Sequence, residues 1–259
     1  MDICAIVPVK SFGQSKSRLA DLLDRHQRIE LSRFLLQDTL SALTLCHELG
    51  RILVVASDPS VKEVVENLGL ECLFQSKDYG VNSAVMYADR FLSADGDWAS
   101  ITIPCDLPLL LPEDIDDVCK LVSEKDINVV VCPSYKFDGT NLLARNPYDI
   151  FSATRYDNDS FQGHLEASIR ACASTCVVLC TRLMIDLDTP ADLQYILTNN
   201  TNEKRSVSYL WKKIKANVGS SFANTSIKEK EAMGKANKKK NANQTDPAFR
   251  LATGRCNPG

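Results

Sequence analysis

Three aspartates lie at the ends of predicted strands. Asp106 follows the apolar stretch 100–104, and Asp186 and Asp188 alternate with Leu187 directly before a helix start. Residues two apart on a strand point to the same side, so Asp186 and Asp188 are expected to converge on one point. Open α/β sheets bind ligands at the carboxyl ends of their strands. Because Mg²⁺ prefers carboxylates, waters and phosphates as ligands, we predict a magnesium site formed by these three acids.

A basic loop follows the first predicted strand. The stretch 8–19 carries Lys10, Lys16 and Arg18 around Gly13. Such strand-to-helix loops bind phosphates in α/β folds, and the three cations are expected to neutralise a triphosphate and its leaving pyrophosphate. The loop has neither the GxxxxGK[ST] nor the GxGxxG pattern. Taken alone, a solvated surface loop would explain it equally well, just as helix capping or turn formation would explain each acid.

Cysteine and histidine offer no competing site. The ten cysteines include no CxxC pair, and most lie in apolar strand-like runs, which favours buried, reduced thiols over a metal cluster. With only His26, His47 and His164, a nucleophilic Ser-His-Asp or Cys-His centre is hard to assemble. The chemistry that fits is group transfer by positioning and charge neutralisation.

Strand-like and helix-like segments alternate along the first 202 residues. Strands are predicted at 3–9, 51–56, 71–74, 100–104, 128–132, 140–144 and 177–187. Helices are predicted at 26–46, 61–68, 81–91, 112–122, 160–172 and from Thr189, where Thr-Pro-Ala-Asp predicts a capped helix start. This order predicts a single α/β domain, with a mostly parallel sheet and helices on both faces.

The charge distribution divides the chain near residue 203. Residues 1–202 carry 17 Lys and Arg against 29 Asp and Glu, a net charge of −12, and residues 203–259 carry 13 against 4, a net charge of +9. We therefore expect a domain at 1–202 and a basic tail at 203–259. The tail begins with a helical stripe of apolar residues, Val207, Leu210, Trp211, Ile214 and Val218.

This stripe predicts a last helix that docks on the body, followed by a solvated tail with too little apolar surface to fold. Binding of nucleic acid by the tail is the weaker alternative, and no nucleic-acid partner is expected. No apolar run is long enough to span a membrane and no signal peptide is recognisable, so the expected location is cytoplasmic.

Five segments together resemble a known family. They are PVK at 8–10 with KSRL at 16–19, IPCDLPLL at 103–110, GTN at 139–141, SF…H at 160–164 and DLDTPADL at 186–193. In this order and spacing they resemble the 2-phospho-L-lactate guanylyltransferases, within a wider nucleotidyltransferase group that includes the molybdenum-cofactor guanylyltransferases. The resemblance covers residues 3 to about 198.

The resemblance implies a Rossmann-like nucleotidyltransferase fold and a reaction in deazaflavin coenzyme biosynthesis. GMP would pass from GTP to 2-phospho-L-lactate, or to phosphoenolpyruvate or 3-phosphoglycerate, with release of pyrophosphate. It also implies that Asp106, Asp186 and Asp188 hold Mg²⁺. We expect Lys16 and Arg18 to act beside Asp106 in catalysis and Lys10 to bind the nucleotide.

The remaining binding residues also follow from the resemblance. Residues at the positions of Thr140, Asp157 and Ser160 contact the acceptor substrate in the family, and Asn82 resembles a loop residue near the nucleotide. Asn141 is expected to add a donor beside Thr140. A helix cap would explain Asn82 equally well.

One segment departs from the family pattern. Where the family has a Gly-rich approach to the Ser-Phe pair, this chain has Tyr156-Asp157-Asn158-Asp159. Two added carboxylates would repel an anionic acceptor unless they point away or hold a metal. We expect Asp159 to be the helix N-cap, with Gln162 completing a capping box.

Other functions stay open at this point. A nucleotide-sugar-dependent glycosyltransferase also uses an Asp-x-Asp metal site, but that motif normally follows a mid-chain strand. A molybdenum-cofactor enzyme would open with an LxGGxSxRMG-type motif, which is missing here. Another sugar- or cofactor-nucleotidyltransferase, a catalytically inactive nucleotide-binding regulator and a homodimeric assembly also remain open.

Overall fold

A single mixed sheet organises the protein. The computed structural model describes residues 2–96, 98–124, 127–199, 204–218 and 249–254. The strands are β1 (Asp2–Val9), β2 (Arg51–Ala56), β3 (Glu71–Phe74), β4 (Trp98–Thr102), β5 (Val129–Pro133), β6 (Thr140–Arg145), β7 (Thr175–Cys180) and β8 (Phe249–Gly254). Their order across the sheet is β3-β2-β1-β4-β6-β5-β7-β8.

Most neighbouring strands run parallel. β1 pairs in parallel with β2 and β4, β2 with β3, and β5 with β7. β6 is antiparallel to both β4 and β5, and β8 is antiparallel to β7. The chain thus moves outward from β1 to β3 and returns to β4 on the other side of β1. This reversal creates a topological switch point, where open α/β sheets bind their ligands.

Helices cover both faces of this sheet. They are α1 (Arg25–Thr44), α2 (Pro59–Asn67), α3 (Val81–Leu92), α4 (Pro112–Ser123), α5 (Ser160–Arg170), the single turn α6 (Thr181–Met184), α7 (Pro190–Asn199) and α8 (Arg205–Val218). Alternate side chains of β1 enter different layers: Ile3, Ala5 and Val7 pack with α1, α2 and α4, whereas Cys4 and Ile6 pack with α3. The predicted fold class is confirmed.

A second apolar cluster joins the segments that carry the predicted site residues. Its buried members are Leu19, Leu23, Leu31, Leu35, Leu109, Ile185, Leu187, Leu193, Ile196, Val207 and Leu210. We call this group the anchor cluster. Leu19 follows Arg18 directly, and Ile185 and Leu187 flank Asp186, so the same short segments supply both apolar anchors and polar site residues.

Helix α8 closes the anchor cluster and packs on α1. At its start, Asp38 of α1 accepts hydrogen bonds from the Arg205 N–H (3.2 Å), the Ser206 N–H (2.9 Å) and the Ser206 hydroxyl (2.7 Å). A carboxylate at a helix N-terminus is favourable because the N–H groups there lack partners within the helix. Val207 and Leu210 are buried against the body. Helix α8 thus covers the predicted apolar stripe 207–218 and packs on α1.

Two segments differ from the prediction. The stretch 177–187 is not continuously extended, because β7 ends at Cys180 and α6 follows. Asn141 stabilises this turn by donating to the carbonyl groups of Leu183 and Met184, each at 3.0 Å. Strand β8 lies in the tail, for which composition predicts no folded structure. Residues 219–248 and 255–259 lie outside the described ranges, so the domain division at 202/203 stays a prediction.

The described cysteines are nine free thiols, of which only Cys172 is exposed. Burial raises the pKa of Cys4 and of Cys132 to about 12, so both stay protonated. Within the described residues, the cluster suited to a metal consists of aspartates rather than cysteines. The prediction of buried thiols is confirmed for Cys4, Cys119, Cys132, Cys176 and Cys180, whereas Cys46, Cys72 and Cys105 are partly buried and Cys256 lies outside the described residues. None of the described helices has the length and apolar character needed to cross a membrane.

Candidate active site

The three predicted metal-binding aspartates lie together. Asp106 follows β4, and Asp186 and Asp188 follow α6 in a segment that belongs to no strand. One oxygen atom of each carboxylate lies within 4.8 Å of the others. The N–H of Leu187 donates to the Asp106 carbonyl at 3.0 Å and ties the two segments together. The strand expected at 177–187 does not reach these acids, but the alternation of apolar and acidic side chains holds, because Ile185 before Asp186 and Leu187 after it are buried.

Lys16 places a cation between two of these carboxylates. Its ammonium group donates to Asp106 Oδ2 at 2.8 Å and to Asp188 Oδ1 at 2.9 Å. Its side chain is only 7% exposed, and a buried ammonium is stable only when paired. The backbone at Lys16 is left-handed, with φ of 57°, which turns the loop toward the acids. Arg18 is exposed and lies 3.7 Å from Asp188 Oδ2.

The pKa values of Asp186 and Asp188 are shifted in opposite directions. Burial, followed by the charges of Asp106 and Asp188, raises the pKa of Asp186 to about 6. Burial also disfavours the ionised form of Asp188, but Lys16 together with Arg18 and Lys10 outweighs burial, so the pKa of that carboxyl is lowered. Three acids around one ammonium leave surplus negative charge, and hard oxygen ligands at this spacing suit a divalent cation.

The charged groups open onto a cavity of about 370 Å³, large enough for a small ligand. The predicted residues that line it are Lys10, Lys16, Arg18, Asp106, Asp188 and Thr140. Thr102, Ser17 and Tyr156 also line the cavity. Sequence analysis assigned none of them a role, although Ser17 and Tyr156 lie in segments that it singled out. At Lys10 and Val81 the cavity adjoins a smaller hollow at the ends of β1, β2 and β3. Together they form one extended groove along the switch point.

Thr140, at the start of β6, is the predicted acceptor contact that lines the cavity. Its hydroxyl oxygen lies 2.9 Å from Nδ1 of the fully buried His164. Asn141 donates to the turn of α6 and lies 3.4 Å from Asp186 Oδ1, so it positions the acidic segment. Ser160 is buried at the start of α5. Neither Asn141 nor Ser160 is part of the cavity wall, and their substrate contacts stay predictions.

Asn82 joins the start of α3 to the segment before α5. Its side-chain oxygen accepts from the Thr154 hydroxyl (3.0 Å) and the Tyr156 N–H (2.8 Å). Its amide group donates to Asp157 Oδ1 at 3.2 Å. Asn82 and Asp157 thus bind each other and do not line the cavity. A nucleotide contact by Asn82 and an acceptor contact by Asp157 remain predictions.

Asp159 is the N-cap residue of α5 by position, as expected, but the expected capping box was wrong. Asp159 has φ of 55° and its side chain makes no capping hydrogen bond, whereas N-cap residues normally have extended backbone. Gln162 instead donates to Glu166 at 3.4 Å. The capped start at Thr189 is confirmed, since its N–H donates to Asp192 Oδ2 at 2.6 Å.

Comparison with known proteins identifies the family. The model of the "Guanylyl transferase CofC like" family matches residues 3–233. The chain belongs to this family. A phosphoenolpyruvate guanylyltransferase from Rubrobacter xylanophilus is 33% identical over 193 residues, 74% of this chain and 92% of the relative. A 2-phospho-L-lactate guanylyltransferase from Methanothermobacter thermautotrophicus is 31% identical over 197 residues, 76% of this chain and 85% of the relative.

Solved structures agree on the fold. A Desulfovibrio desulfuricans protein assigned to the nucleotide-diphospho-sugar transferases superimposes with a TM-score of 0.68 at 18% identity, covering 84% of this chain and 99% of the other. A nucleotidyl transferase from Methanothermobacter superimposes with a TM-score of 0.54 at 13% identity, covering 75% of this chain and 95% of the other. The CofC-like protein therefore has the Rossmann-like fold of these proteins. That it is a nucleotidyltransferase follows from its membership of the guanylyltransferase family.

Proposed function

We propose that this CofC-like protein transfers GMP from GTP to a phosphorylated three-carbon acid, 2-phospho-L-lactate or phosphoenolpyruvate, and releases pyrophosphate. It would do so in the cytoplasm, as a step of deazaflavin coenzyme biosynthesis. One observation carries the proposal. The carboxylates of Asp106, Asp186 and Asp188 meet the cations of Lys16 and Arg18 at a cavity placed on the switch point of the sheet.

The three carboxylates fit a divalent metal ion such as Mg²⁺. They offer hard oxygen ligands within 4.8 Å of one another. Burial, followed by the charges of Asp106 and Asp188, raises the pKa of Asp186, and a bound cation would offset both effects. Bound there, the ion would supply charge neutralisation at the phosphates of the nucleotide. Asp106 and Asp188 reach the cavity, whereas Asp186 is held by Asn141.

The chain's own residues position and neutralise the reactants. A phosphate oxygen of the acceptor attacks the α-phosphorus of GTP, the bond to the bridging oxygen breaks, and pyrophosphate leaves. Lys10, Lys16 and Arg18 lie on the cavity wall, where they would bind the triphosphate and stabilise the leaving group. No protein nucleophile is required, which agrees with the scarcity of histidine.

Two observations bear on the acceptor. The curated relatives act on 2-phospho-L-lactate or phosphoenolpyruvate, as their names state. A carboxylate facing the cavity would favour the hydroxyl-bearing 3-phosphoglycerate, but Asp157 is bound to Asn82 and lies off the cavity wall. We therefore expect 3-phosphoglycerate to be a poorer acceptor than 2-phospho-L-lactate and phosphoenolpyruvate.

The test is a competition experiment. The protein, GTP and Mg²⁺ are incubated with equal amounts of 2-phospho-L-lactate, phosphoenolpyruvate and 3-phosphoglycerate, and the products are identified by mass spectrometry. We expect the guanylylated form of one of the first two acids together with pyrophosphate. Asp106→Asn should abolish the product and the exposed control Asp117→Asn should not. Consumption of a sugar phosphate with none of the three acids used would refute the acceptor assignment.

A further inference from the structure

We propose that His164 is a positioning residue, which makes the hydroxyl group of Thr140 a hydrogen-bond donor to the acceptor substrate. The proposal rests on the proposed function, since it concerns how the acceptor acid is held. Two hydrogen bonds carry it. One joins the main chain of Arg155 to the imidazole ring, and the other joins the ring to Thr140.

The first hydrogen bond fixes the tautomer of His164. The main-chain N–H of Arg155 donates to Nε2 at 2.9 Å, so Nε2 is an acceptor and carries no proton. Burial, followed by the charge of Arg145, lowers the pKa of His164 to about 4. The ring is therefore neutral at physiological pH, and its single proton resides on Nδ1.

The second hydrogen bond fixes the role of the Thr140 hydroxyl. Nδ1 of His164 lies 2.9 Å from Thr140 Oγ1, and because Nδ1 is the donor, the hydroxyl oxygen must accept. Among the described residues, none accepts the proton of this hydroxyl in return. Thr140 lines the cavity that also contains Asp106 and Lys16. Its O–H group is thus available to a ligand oxygen, and an anionic oxygen makes the strongest such bond.

The imidazole ring is held in this orientation. His164 is 0% exposed, and the ring of Tyr156 packs edge-on against it at a centroid distance of 4.7 Å. A flip of the ring would break both hydrogen bonds in a site that water does not reach. The segment 154–156 that supplies the Arg155 N–H is itself held by Asn82. The donor role of Thr140 is therefore set by structure beyond the cavity wall.

Two amide substitutions separate the roles of the two ring nitrogens. In His164→Asn the amide nitrogen takes the place of Nδ1 and still donates to Thr140. In His164→Gln the amide oxygen reaches the place of Nε2 and accepts from Arg155, but the donor at Nδ1 is lost. The matched control is Ser168→Ala, which removes an equally buried hydroxyl one turn along α5, bonded to the His164 carbonyl.

The measurement is kcat and KM for GTP and for the acceptor that the wild-type protein uses. We expect Thr140→Val to raise the acceptor KM about tenfold, as for loss of one charge-assisted hydrogen bond, with the GTP KM within about twofold. Thr140→Ser should restore the wild-type value. His164→Gln should raise the acceptor KM about fivefold, and His164→Asn and Ser168→Ala should change it by less than about threefold.

A double variant completes the test. Thr140→Val combined with His164→Gln should be no worse than Thr140→Val alone, since both remove the same interaction. Equal effects of the two His164 substitutions, or an unchanged acceptor KM in Thr140→Val, would overturn the proposal. The Thr140 variants are small changes and keep the test decisive if a His164 variant fails to fold. A wild-type protein that consumes none of the offered acids would instead refute the proposed function.

Discussion

Asp186→Asn should make the protein more stable at neutral pH while removing its activity. The reason is the crowding of carboxylates around this side chain. Burial and the neighbouring Asp106 and Asp188 raise its pKa from the ordinary 3.8 to about 6. An acid with a raised pKa binds its proton more tightly in the folded state than in the unfolded state. The stability it contributes is therefore complete below pH 3.8 and is lost as the pH rises through about 6.

The size of the effect follows from the same shift. At roughly 1.4 kcal/mol for each pKa unit, ionising Asp186 in the metal-free protein costs at most about 3 kcal/mol. The side chain is not completely buried, so solvent screening reduces the expected value to about 2 kcal/mol. Asparagine has the same shape and no charge, and its oxygen can still accept from Asn141. The stabilisation of Asp186→Asn relative to wild type should therefore be absent near pH 4 and complete near pH 7.5.

Urea unfolding at several pH values, in EDTA, measures this directly for wild type and variant. The free energy of unfolding of Asp186→Asn relative to wild type should rise with pH by about 2 kcal/mol. Asp117→Asn, an exposed substitution on α4, should give a flat difference. Added Mg²⁺ should stabilise the wild type more than the variant. An Asp186→Asn protein that is less stable than wild type at pH 7.5 would refute the reasoning, and near-normal turnover would refute the metal assignment.

Three further outcomes are expected. The Lys16→Met variant should bind Mn²⁺ about tenfold more tightly than wild type in the absence of nucleotide, because no ammonium group is then bound to Asp106 and Asp188. Electron paramagnetic resonance measures this affinity. Weaker Mn²⁺ binding by the variant would contradict the proposed pairing of Lys16 with the metal-binding acids. Arg18→Ala should weaken GTP binding by roughly 1.5–3 kcal/mol in calorimetry, and unchanged affinity would mean a surface role. Leu210→Ala, fully buried in the anchor cluster, should lower the free energy of unfolding by about 2–5 kcal/mol, and a loss below about 1 kcal/mol would contradict that burial.

The sheet was predictable because its core strands carry strong signals. β1 and β2 contain continuous apolar runs bounded by polar loops, β4 alternates apolar residues with Ser100 and Thr102, and alternation with helices implies parallel pairing. The antiparallel insertion of β6 between β4 and β5 was not predicted. Its only local sign is the short connection 134–139, which favours an antiparallel neighbour of β5. The pairing of β6 with β4 depends on residues far apart in the chain, so the local sequence does not predict it.

The acidic site was predictable for a related reason. The end of β4 before Asp106 and the alternation of apolar and acidic residues around Asp186 are local features of the sequence. The proximity of the three carboxylates could therefore be predicted, even though the strand expected at 177–187 ends at Cys180. The place of Lys16 between Asp106 and Asp188 was not predictable, because it depends on a left-handed backbone at a non-glycine residue. The links from Asn82 to Asp157 and from Thr140 to His164 join residues far apart in sequence, and no spacing rule reveals them.

The anchor cluster explains why the site tolerates this crowding of charge. Leu19, Leu109 and Leu187 each lie within three residues of a charged site residue and are buried in one apolar group. Repulsion among the acids would separate their segments if only the loops held them, so burial of these leucines supplies the opposing free energy. Helix α8 contributes Val207 and Leu210 to the same group. The first helix of the basic region therefore belongs to the apolar group that holds the site segments together.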